Sequence, residues 1–358
     1  MTDPARSIPA PTLAERTSVI EAKDLRMAYP PARRGDPVRP AVDGVSFQVR
    51  AGEIFGFLGP NGAGKTTTVS LLTTLLSPSP GSAFIEGVDV TSDPSEIRRR
   101  IGLVFQISTA DGELTGRENL VFEAGLYGRS PATVRPYIDS LLARMELTHV
   151  ADRLVKTYSG GMRRRLELAA GMVHEPKILF LDEPTLGLDP QGRAGFWKYI
   201  RYLRDTQGVT IFLTTHYLDE ADQLCDRIAI IDHGKIIASG TPNELKDRMG
   251  GDTVEVVVAA GASDVTSVLA GLPGVLELHR SGDQYRFKCV RGESLVPKVV
   301  LACERVGVEI AGVATRKPSL DEVFLNLTGH SYREEGEVRS ESNGSDSAPA
   351  ELPAMGGA

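Results

Sequence analysis

Cysteine is scarce in this sequence, and the spacing of the few residues excludes two structural roles. Only three are present, Cys225, Cys289 and Cys303, and no two of them form a C-x-x-C pair. An odd number of widely spaced cysteines predicts neither a disulfide framework nor a structural zinc site. The chain is therefore expected to work in a reducing compartment.

Long apolar runs and an excess of basic residues are lacking too. No apolar stretch approaches the roughly 20 residues that a helix needs to cross a bilayer. The start of the chain also lacks the apolar segment of a secretory signal. The formal net charge of -7 disfavours broad binding of nucleic acid, which depends on clustered lysine and arginine. We therefore expect a chain that neither spans a membrane alone nor binds nucleic acid.

What the sequence does contain is an alternation of strand and helix patterns over residues 19–250, the order that builds a largely parallel sheet covered by helices. Three continuous apolar segments, at 54–58, 178–181 and 209–213, are predicted to form the centre of this sheet. Between about 107 and 172 the pattern is helical only, with a capping box at Thr115 and Glu118. We predict a helical subdomain inserted into an α/β core.

A second, smaller domain is predicted over residues 251–330. Its elements follow the order βαββαβ, which is typical of a ferredoxin-like α+β unit. A closing helix carries an apolar stripe of Leu320, Val323, Phe324 and Leu327. We expect this stripe to pack on the domain's own small sheet, with a surface for a partner as the alternative. Residues 1–18 and the acidic residues 331–358 are predicted to be disordered tails.

Residues 59–66 read Gly-Pro-Asn-Gly-Ala-Gly-Lys-Thr and match the phosphate-loop pattern G-x-x-x-x-G-K-[ST] in full. They follow an apolar strand and precede a helix, a context that an incidental glycine-rich turn would not need. In such a loop, backbone N–H groups surround phosphate oxygens, Lys65 reaches the β- and γ-phosphates, and Thr66 binds Mg²⁺. The predicted nucleotide-binding residues here are Gly59, Pro60, Asn61, Gly62, Ala63, Gly64, Lys65, Thr66 and Thr67.

A second motif is the apolar segment 178–181 followed at once by Asp182 and Glu183. Carboxylates at the end of a buried strand are placed for metal and water chemistry. Asp182 is expected to hold Mg²⁺, and Glu183 to orient and deprotonate the attacking water. The motif is weak alone and strong beside a phosphate loop.

Three further segments follow in a fixed order. Residues 158–163 read Tyr-Ser-Gly-Gly-Met-Arg, residues 187–190 read Gly-Leu-Asp-Pro, and His216 comes after a strand that ends in Leu-Thr-Thr. Together with the two motifs above, this order resembles the ATPase domain of ABC transporters over about residues 19–241. The resemblance implies a P-loop NTPase core with an inserted helical subdomain, in which two copies sandwich two ATP molecules.

The resemblance also implies roles for single residues. His216 is similar to the switch histidine that contacts the γ-phosphate and positions water beside Glu183, so these two are the predicted catalytic residues. A helix N-terminus has free N–H groups that suit an anion. The residues at such a terminus that would cover the ATP held by the other copy are Ser159, Gly160 and Gly161.

Further contacts are implied on the nucleotide and the metal. Tyr29 would stack on adenine, and Asp189 would lie where the two ATPase domains touch beside the phosphates. Gln106 would contact Mg²⁺ and water and couple the nucleotide to the helical subdomain. The metal-binding residues implied in this way are Thr66, Gln106 and Asp182.

One departure from the common family pattern places the chain in a branch. Tyr158 and Met162 stand where many members have Leu and Gln, so the nucleotide contact of that Gln is not expected here. This form, with the ending Pro-Ser-Leu-Asp-Glu-Val-Phe-Leu at 318–325, is similar to the daunorubicin-resistance type of drug-export ATPase.

The sequence therefore predicts the ATP-hydrolysing motor subunit of an ABC exporter, peripheral at the cytoplasmic face of the cell membrane. The expected cofactors are ATP and Mg²⁺. The expected partners are a second copy of the chain and a separate integral-membrane permease that handles a small drug-like or lipid-like hydrophobic cargo. The alternatives are the ATPase subunit of an importer, a soluble ABC ATPase acting on the ribosome or DNA, and a regulatory subunit that holds ATP without hydrolysing it.

Overall fold

The computed structural model describes residues 17–30, 37, 39–78, 80–249 and 251–328. The predicted tail 331–358, and all but the last two residues of the predicted tail 1–18, lie outside this set. Ser18 already begins the first strand. Within the described ranges, every helix is too short or too polar to cross a membrane.

The first part of the chain is rich in strands, and its elements are β1 (Ser18–Ala28), β2 (Pro40–Arg50), β3 (Ile54–Leu58), α1 (Lys65–Leu72), β4 (Ser82–Ile85), β5 (Val88–Asp89), α2 (Pro94–Arg100) and β6 (Ile101–Val104). Three helices follow, which are α3 (Gly116–Leu126), α4 (Pro131–Arg144) and α5 (Gly160–Met172). Alternation then resumes with β7 (Ile178–Asp182), α6 (Pro190–Gln207), β8 (Thr210–Thr215), α7 (Leu218–Leu224), β9 (Arg227–Asp232), β10 (Lys235–Gly240) and α8 (Pro242–Asp247). The last elements are β11 (Asp252–Val258), α9 (Thr266–Ala270), β12 (Val275–Ser281), β13 (Gln284–Cys289), α10 (Gly292–Arg305), β14 (Ile310–Arg316) and α11 (Leu320–Thr328).

A six-stranded sheet forms the centre of the molecule, in the order β10-β9-β3-β8-β7-β6. Its strands run parallel except β10, which pairs antiparallel with β9. The three predicted central segments are β3, β7 and β8, and all their residues are buried. Because the carboxyl ends of parallel strands meet at one edge, Leu58, Asp182 and Thr215 lie at the same edge. This edge carries the site described below.

An antiparallel sheet in the order β2-β1-β4-β5 covers one face of the central sheet. The ring of Phe47 on β2 lies 5.5 Å from that of Phe55 and 5.6 Å from that of Phe212, which are on β3 and β8. The sequence did not predict this second sheet. Its first two strands pair directly with each other, without a crossover helix between them, so they do not show the strand–helix alternation that indicates a parallel sheet.

The helical insertion begins as predicted. The hydroxyl of Thr115 accepts a hydrogen bond from the backbone N–H of Glu118, whose carboxylate accepts one from the backbone N–H of Thr115 at 2.8 Å. Pro131 stands at the start of α4, where its missing N–H removes no helical hydrogen bond. Apolar residues of α3, α4 and α5 share one core with the face of the central sheet opposite the antiparallel sheet.

The last part of the chain forms an antiparallel sheet in the order β12-β13-β11-β14. Residues of α9 and α10 join the inward-facing residues of this sheet in a separate core. This is the strand order of the predicted ferredoxin-like unit. The domain limits at residues 250 and 330 stay predictions.

The closing helix α11 does not pack where we favoured from the sequence. Its residues Leu320, Val323 and Phe324 are buried, but they belong to the core of the central sheet and not to that of the small sheet. α11 contacts α7 and α8. The preferred prediction, docking on the small sheet, was therefore wrong, and Leu327 of the predicted stripe is exposed. An apolar stripe shows that one face of a helix is buried, but it does not show which surface buries it.

Candidate active site

The phosphate loop connects β3 to α1 and has the backbone that its glycines allow. Gly62 and Gly64 have φ angles of 80° and 107°, in the left-handed region that favours glycine. A Cβ atom on Gly64 would lie 2.2 Å from the carbonyl oxygen of Ala41, so no other residue fits. No side chain caps α1. Its first N–H groups are therefore available to phosphate oxygens.

Lys65 is buried at the start of α1 and binds the loop and a carboxylate. Its Nζ donates hydrogen bonds to the carbonyl oxygens of Gly59 (2.8 Å) and Pro60 (3.0 Å). It also lies 3.0 Å from Oε1 of Glu183, and only 4% and 6% of the two side chains are exposed. Burial lowers the pKa of Lys65, an effect that the charge of Glu183 opposes. The ammonium group is thus held at the centre of the loop.

Glu183 and His216, the two predicted catalytic residues, are in contact. Nδ1 of His216 lies 3.0 Å from Oε2 of Glu183. Burial alone would raise the pKa of Glu183, but the hydrogen bond with His216 and the charge of Lys65 together lower it to about 2. Glu183 also has a φ of 47°, which is uncommon for a residue other than glycine. Its carboxylate is therefore ionised and held on both oxygens.

Asp182 lies beside two threonine hydroxyls at the same sheet edge. Its Oδ1 accepts hydrogen bonds from the hydroxyls of Thr214 (2.5 Å) and Thr66 (3.3 Å). The hydroxyl of Thr214 also accepts a hydrogen bond from the backbone N–H of Glu183 at 2.9 Å. One carboxylate with neutral oxygens suits Mg²⁺, which commonly takes one or two carboxylates together with substrate phosphates. The donor set thus fits the predicted metal ion.

Lys65, Thr66 and Glu183 line one cleft of about 440 Å³. Asp182 contacts Thr66, and His216 contacts Glu183, at the lining of this cleft. Tyr29 stands at its mouth, 46% exposed, with its hydroxyl 3.3 Å from that of Thr67. The residues lining the cleft are Tyr29, Ala41, Asn61, Gly62, Gly64, Lys65, Thr66, Thr67, Gln106 and Glu183. The structure therefore brings together most of the predicted nucleotide, metal and catalytic residues.

Four predicted site residues lie elsewhere, in a second cleft of about 560 Å³ lined by none of the phosphate-loop residues. They are Ser159, Gly160, Gly161 and Asp189. Ser159 caps α5, its hydroxyl accepting from the N–H of Met162 at 3.2 Å, and Asp189 caps α6. A Cβ atom on Gly160 or Gly161 would meet nothing within 4 Å. The second cleft thus presents an open helix N-terminus to whatever faces it.

Sequence reasoning missed Arg164, a buried arginine on α5 that joins several parts of the site. Its guanidinium donates to backbone carbonyl oxygens of residues that flank the catalytic groups, namely Phe105 (2.6 Å), Asp182 (3.3 Å), Glu183 (3.3 Å) and Pro184 (2.5 Å). It also pairs with Glu167 at 2.7 Å. The available signal was the i, i+3 spacing of two opposite charges on the face of α5 that also carries Leu168.

Comparison with known proteins assigns both parts of the chain. Residues 42–186 match the family model of the ABC transporter, and residues 240–328 match that of the ATP-binding protein DrrA1-3-like C-terminal domain. The daunorubicin/doxorubicin resistance ATP-binding protein DrrA of Streptomyces peucetius is 45% identical over 88% of this chain and 93% of its own length. The chain belongs to the ABC transporter family.

This ABC ATPase is similar to further export subunits and to solved cassettes. Nod factor export ATP-binding protein I of Ralstonia nicotianae is 37% identical over 89% of this chain and 96% of its own length. The dimeric structure of a post-hydrolysis state of the cassette MJ0796, bound to ADP and Pi, superposes with a TM-score of 0.56. That match has 25% sequence identity and covers 62% of this chain and 98% of the other.

The comparisons confirm the predicted family and its daunorubicin-resistance branch, the fold class, and ATP hydrolysis by a transporter subunit. The importer and soluble alternatives receive no support. The roles of single residues stay predictions.

Proposed function

We propose that two copies of this ABC ATPase close around two ATP-Mg²⁺ and that hydrolysis reopens them. The cycle drives a separate membrane permease that exports a drug-like or lipid-like hydrophobic compound. The observation that carries this proposal is the division of the site between two clefts of one chain. Lys65 and Glu183 line one cleft, whereas Ser159 and Asp189 line the other. A second copy would bring the second cleft over the first.

Nucleotide binding changes the partner of Lys65. In the chain alone its ammonium pairs with Glu183. A γ-phosphate carries more negative charge and competes for the same ammonium. Losing this neighbour removes one of the interactions that lower the pKa of Glu183. The carboxylate therefore becomes a stronger base at the moment when the substrate arrives.

Glu183 and His216 then act on the attacking water. His216 holds Oε2 of the carboxylate, which leaves Oε1 to accept a proton once Lys65 has turned to the phosphate. A water held by Oε1 and aimed at the γ-phosphorus attacks in line with the leaving oxygen. The histidine fixes the direction of the carboxylate, and the proton moves to Oε1.

Thr66, Asp182 and Gln106 would hold the metal ion. When bound, Mg²⁺ neutralises the negative charge of the phosphate oxygens. Thr66 and Asp182 already share a hydrogen bond at 3.3 Å, so little movement is needed to bring their oxygens to one ion. Gln106 is exposed at the edge of the cleft.

The helix N-terminus at Ser159 supplies the other half of each site. α5 has 13 residues, long enough for a partial positive charge to develop at its start. With Gly160 and Gly161 open to the cleft, backbone N–H groups can approach a phosphate without side-chain obstruction. The γ-phosphate of ATP bound to the other copy has the matching charge.

The groove beside α3 is the proposed docking site for a short cytoplasmic helix of the permease. Phe122 and Leu126 on α3 are 61% and 66% exposed, and Ile107 after β6 is 80% exposed. Glu123 lines the groove with Phe122 and is half-buried. Burial raises its pKa, and no described residue forms a hydrogen bond or ion pair with it. A helix with an apolar face and one basic residue fits this groove.

The class of cargo rests on the relatives. Their names include daunorubicin/doxorubicin resistance, linearmycin resistance and Nod factor export. We expect the cargo to be an amphipathic or hydrophobic compound that the permease selects. Loss of this ATPase should sensitise the cells to such a compound.

The central experiment uses Glu183→Gln, which keeps the shape of the side chain and removes the base. Turnover should fall at least a hundredfold, because general-base catalysis contributes about 10²–10⁴-fold. ATP-Mg²⁺ should then trap a dimer that size-exclusion chromatography with light scattering detects. Glu304→Gln, an exposed residue of α10, is the control and should turn over normally. If Glu183→Gln hydrolyses ATP at the wild-type rate, or stays monomeric in the presence of ATP and the permease, the proposal is wrong.

A further inference from the structure

We propose that Arg164 is a positioning residue that couples the two nucleotide sites of the ATPase dimer. It ties the start of α5, which covers the nucleotide of the other copy, to Glu183 and the Gln106 loop of its own copy. This inference rests on the proposed function, because the coupling it describes exists only in an ATP sandwich.

The guanidinium of Arg164 is held in place by backbone carbonyl oxygens. Its guanidinium donates to the carbonyl oxygens of three consecutive residues, Asp182, Glu183 and Pro184, at 3.3, 3.3 and 2.5 Å. These carbonyls belong to the turn in which Glu183 adopts a φ of 47°. A non-glycine residue keeps such a conformation only where its surroundings hold it. Arg164 is therefore part of what fixes the backbone of the catalytic carboxylate.

The same guanidinium also contacts the loop that follows β6. Its Nη1 donates to the carbonyl oxygen of Phe105 at 2.6 Å, directly before Gln106. Nη1 also pairs with Glu167 at 2.7 Å, and the two side chains are 8% and 7% exposed. The counter-charge lets a cation stay buried in this position. One side chain thus connects α5, the end of β7 and the loop after β6.

Helix α5 links the two nucleotide sites mechanically. Ser159 caps this helix and Arg164 lies in its second turn, so the two residues move together as parts of one rigid element. When Ser159 covers a nucleotide held by the other copy, any shift of α5 acts through Arg164 on Glu183 and Gln106. The site that feels the shift is therefore the one that does not contain that Ser159. Closure at one nucleotide in this way prepares the base at the other.

Arg164→Lys tests the role, because lysine keeps the charge but cannot fork across four carbonyl oxygens. We expect kcat of the full chain to fall at least tenfold, since a misplacement of about 1 Å can cost 10²-fold. The Hill coefficient for ATP should fall from well above one towards one. The affinity of monomeric chain for ATP-Mg²⁺ should stay within about twofold, because Arg164 does not line the phosphate cleft.

The matched control is Arg129→Lys. Arg129 also donates to a carbonyl oxygen and a carboxylate, those of Val173 and Glu175, but at the other end of α5. It should leave kcat and the Hill coefficient unchanged. If Arg164→Lys keeps the wild-type Hill coefficient, or if both variants lower it equally, Arg164 only holds the fold together and the inference is wrong.

A second variant covers the case in which Arg164→Lys does not fold. Glu167→Gln keeps the volume of the side chain and removes the counter-charge, so it should loosen the fork and lower kcat and the Hill coefficient in the same direction. Wild-type values in Glu167→Gln would then overturn the inference. The proposed function is judged separately, because it fails only if Glu183→Gln does not trap a dimer. A trapped dimer with unaltered cooperativity in the Arg164 and Glu167 variants refutes the coupling alone.

Discussion

At the scale of single residues, the contacts of Glu183 with His216 and Lys65 tie the stability of the nucleotide-free chain to pH. The pKa of Glu183 drops from its ordinary value of 4.5 to about 2 in the folded chain. A carboxyl with a lowered folded-state pKa gives stability that is complete above its unfolded-state pKa and is lost as the pH falls through the folded-state value. The stabilisation should therefore fade between about pH 5 and pH 2.

The measurement is the free energy of unfolding in urea, for wild type and Glu183→Gln, at about pH 7 and at decreasing pH. We expect an advantage of wild type on the order of 1–3 kcal/mol at neutral pH that shrinks as Glu183 is protonated. Glu304→Gln should follow the wild type at each pH. An advantage that stays constant down to acid pH would show that the charge of Glu183 does not stabilise the site.

The site residues divide by how far their partners lie along the chain. The phosphate loop could be predicted because it is a short run that matches a specific motif in full. The Asp182-Glu183 pair could be predicted because it follows a buried strand in a chain that also carries this loop. Arg164 could not, because its carbonyl partners are 18 to 59 residues away and belong to segments that meet only in the folded sheet. A basic residue in a helix is usually solvated, and only tertiary structure shows that this one is buried.

At the scale of elements, α11 joins the last part of the chain to the core of the central sheet. Phe324 is fully buried in that core, whereas Leu325 beside it is 46% exposed. Phe324→Ala should lower the free energy of unfolding by about 3–5 kcal/mol, as expected when a buried phenylalanine is truncated. Leu325→Ala is the control and should cost under about 1 kcal/mol. Equal losses, measured in urea, would mean that α11 is not held by its buried face.

Elements were predicted better than their neighbours in space. The capping box of α3 and the buried strands β3, β7 and β8 follow from local rules and are present. The packing of α11 and the pairing of β1 with β2 depend on contacts between segments that are distant in the sequence. A local sequence pattern carries no information about such contacts. Periodicity indicates which face is buried and leaves the covering surface open.

At the scale of the whole molecule, the residues proposed to form one ATP site line two different clefts of the same chain. The sequence motifs predicted both sets of residues, and the fold shows that Ser159 and Lys65 line separate clefts. In the proposed function two copies complete each other's sites, so the trapped dimer of Glu183→Gln is the decisive observation.

A substitution in the groove beside α3 should separate ATP hydrolysis from transport. Phe122→Asp places a charge in the exposed apolar surface proposed for the permease, beside the carboxylate of Glu123. Phe122 does not line the phosphate cleft, so the purified chain should hydrolyse ATP within about twofold of wild type, as surface substitutions rarely disturb a fold. Co-purification with the permease and export of the drug should fall at least tenfold, because a buried unpaired charge at an interface is costly.

Val306→Asp is the matched control for this experiment, since Val306 is an exposed apolar residue at the end of α10. It should leave both hydrolysis and export intact. If Phe122→Asp exports normally, the permease docks elsewhere. If it loses hydrolysis in the isolated chain, the groove serves the nucleotide site and not the partner.

A basic residue introduced at Glu123 should repel the basic residue that we expect on the permease helix, and export should fall. If reversing the charge of that permease residue restores export, the two residues form a pair.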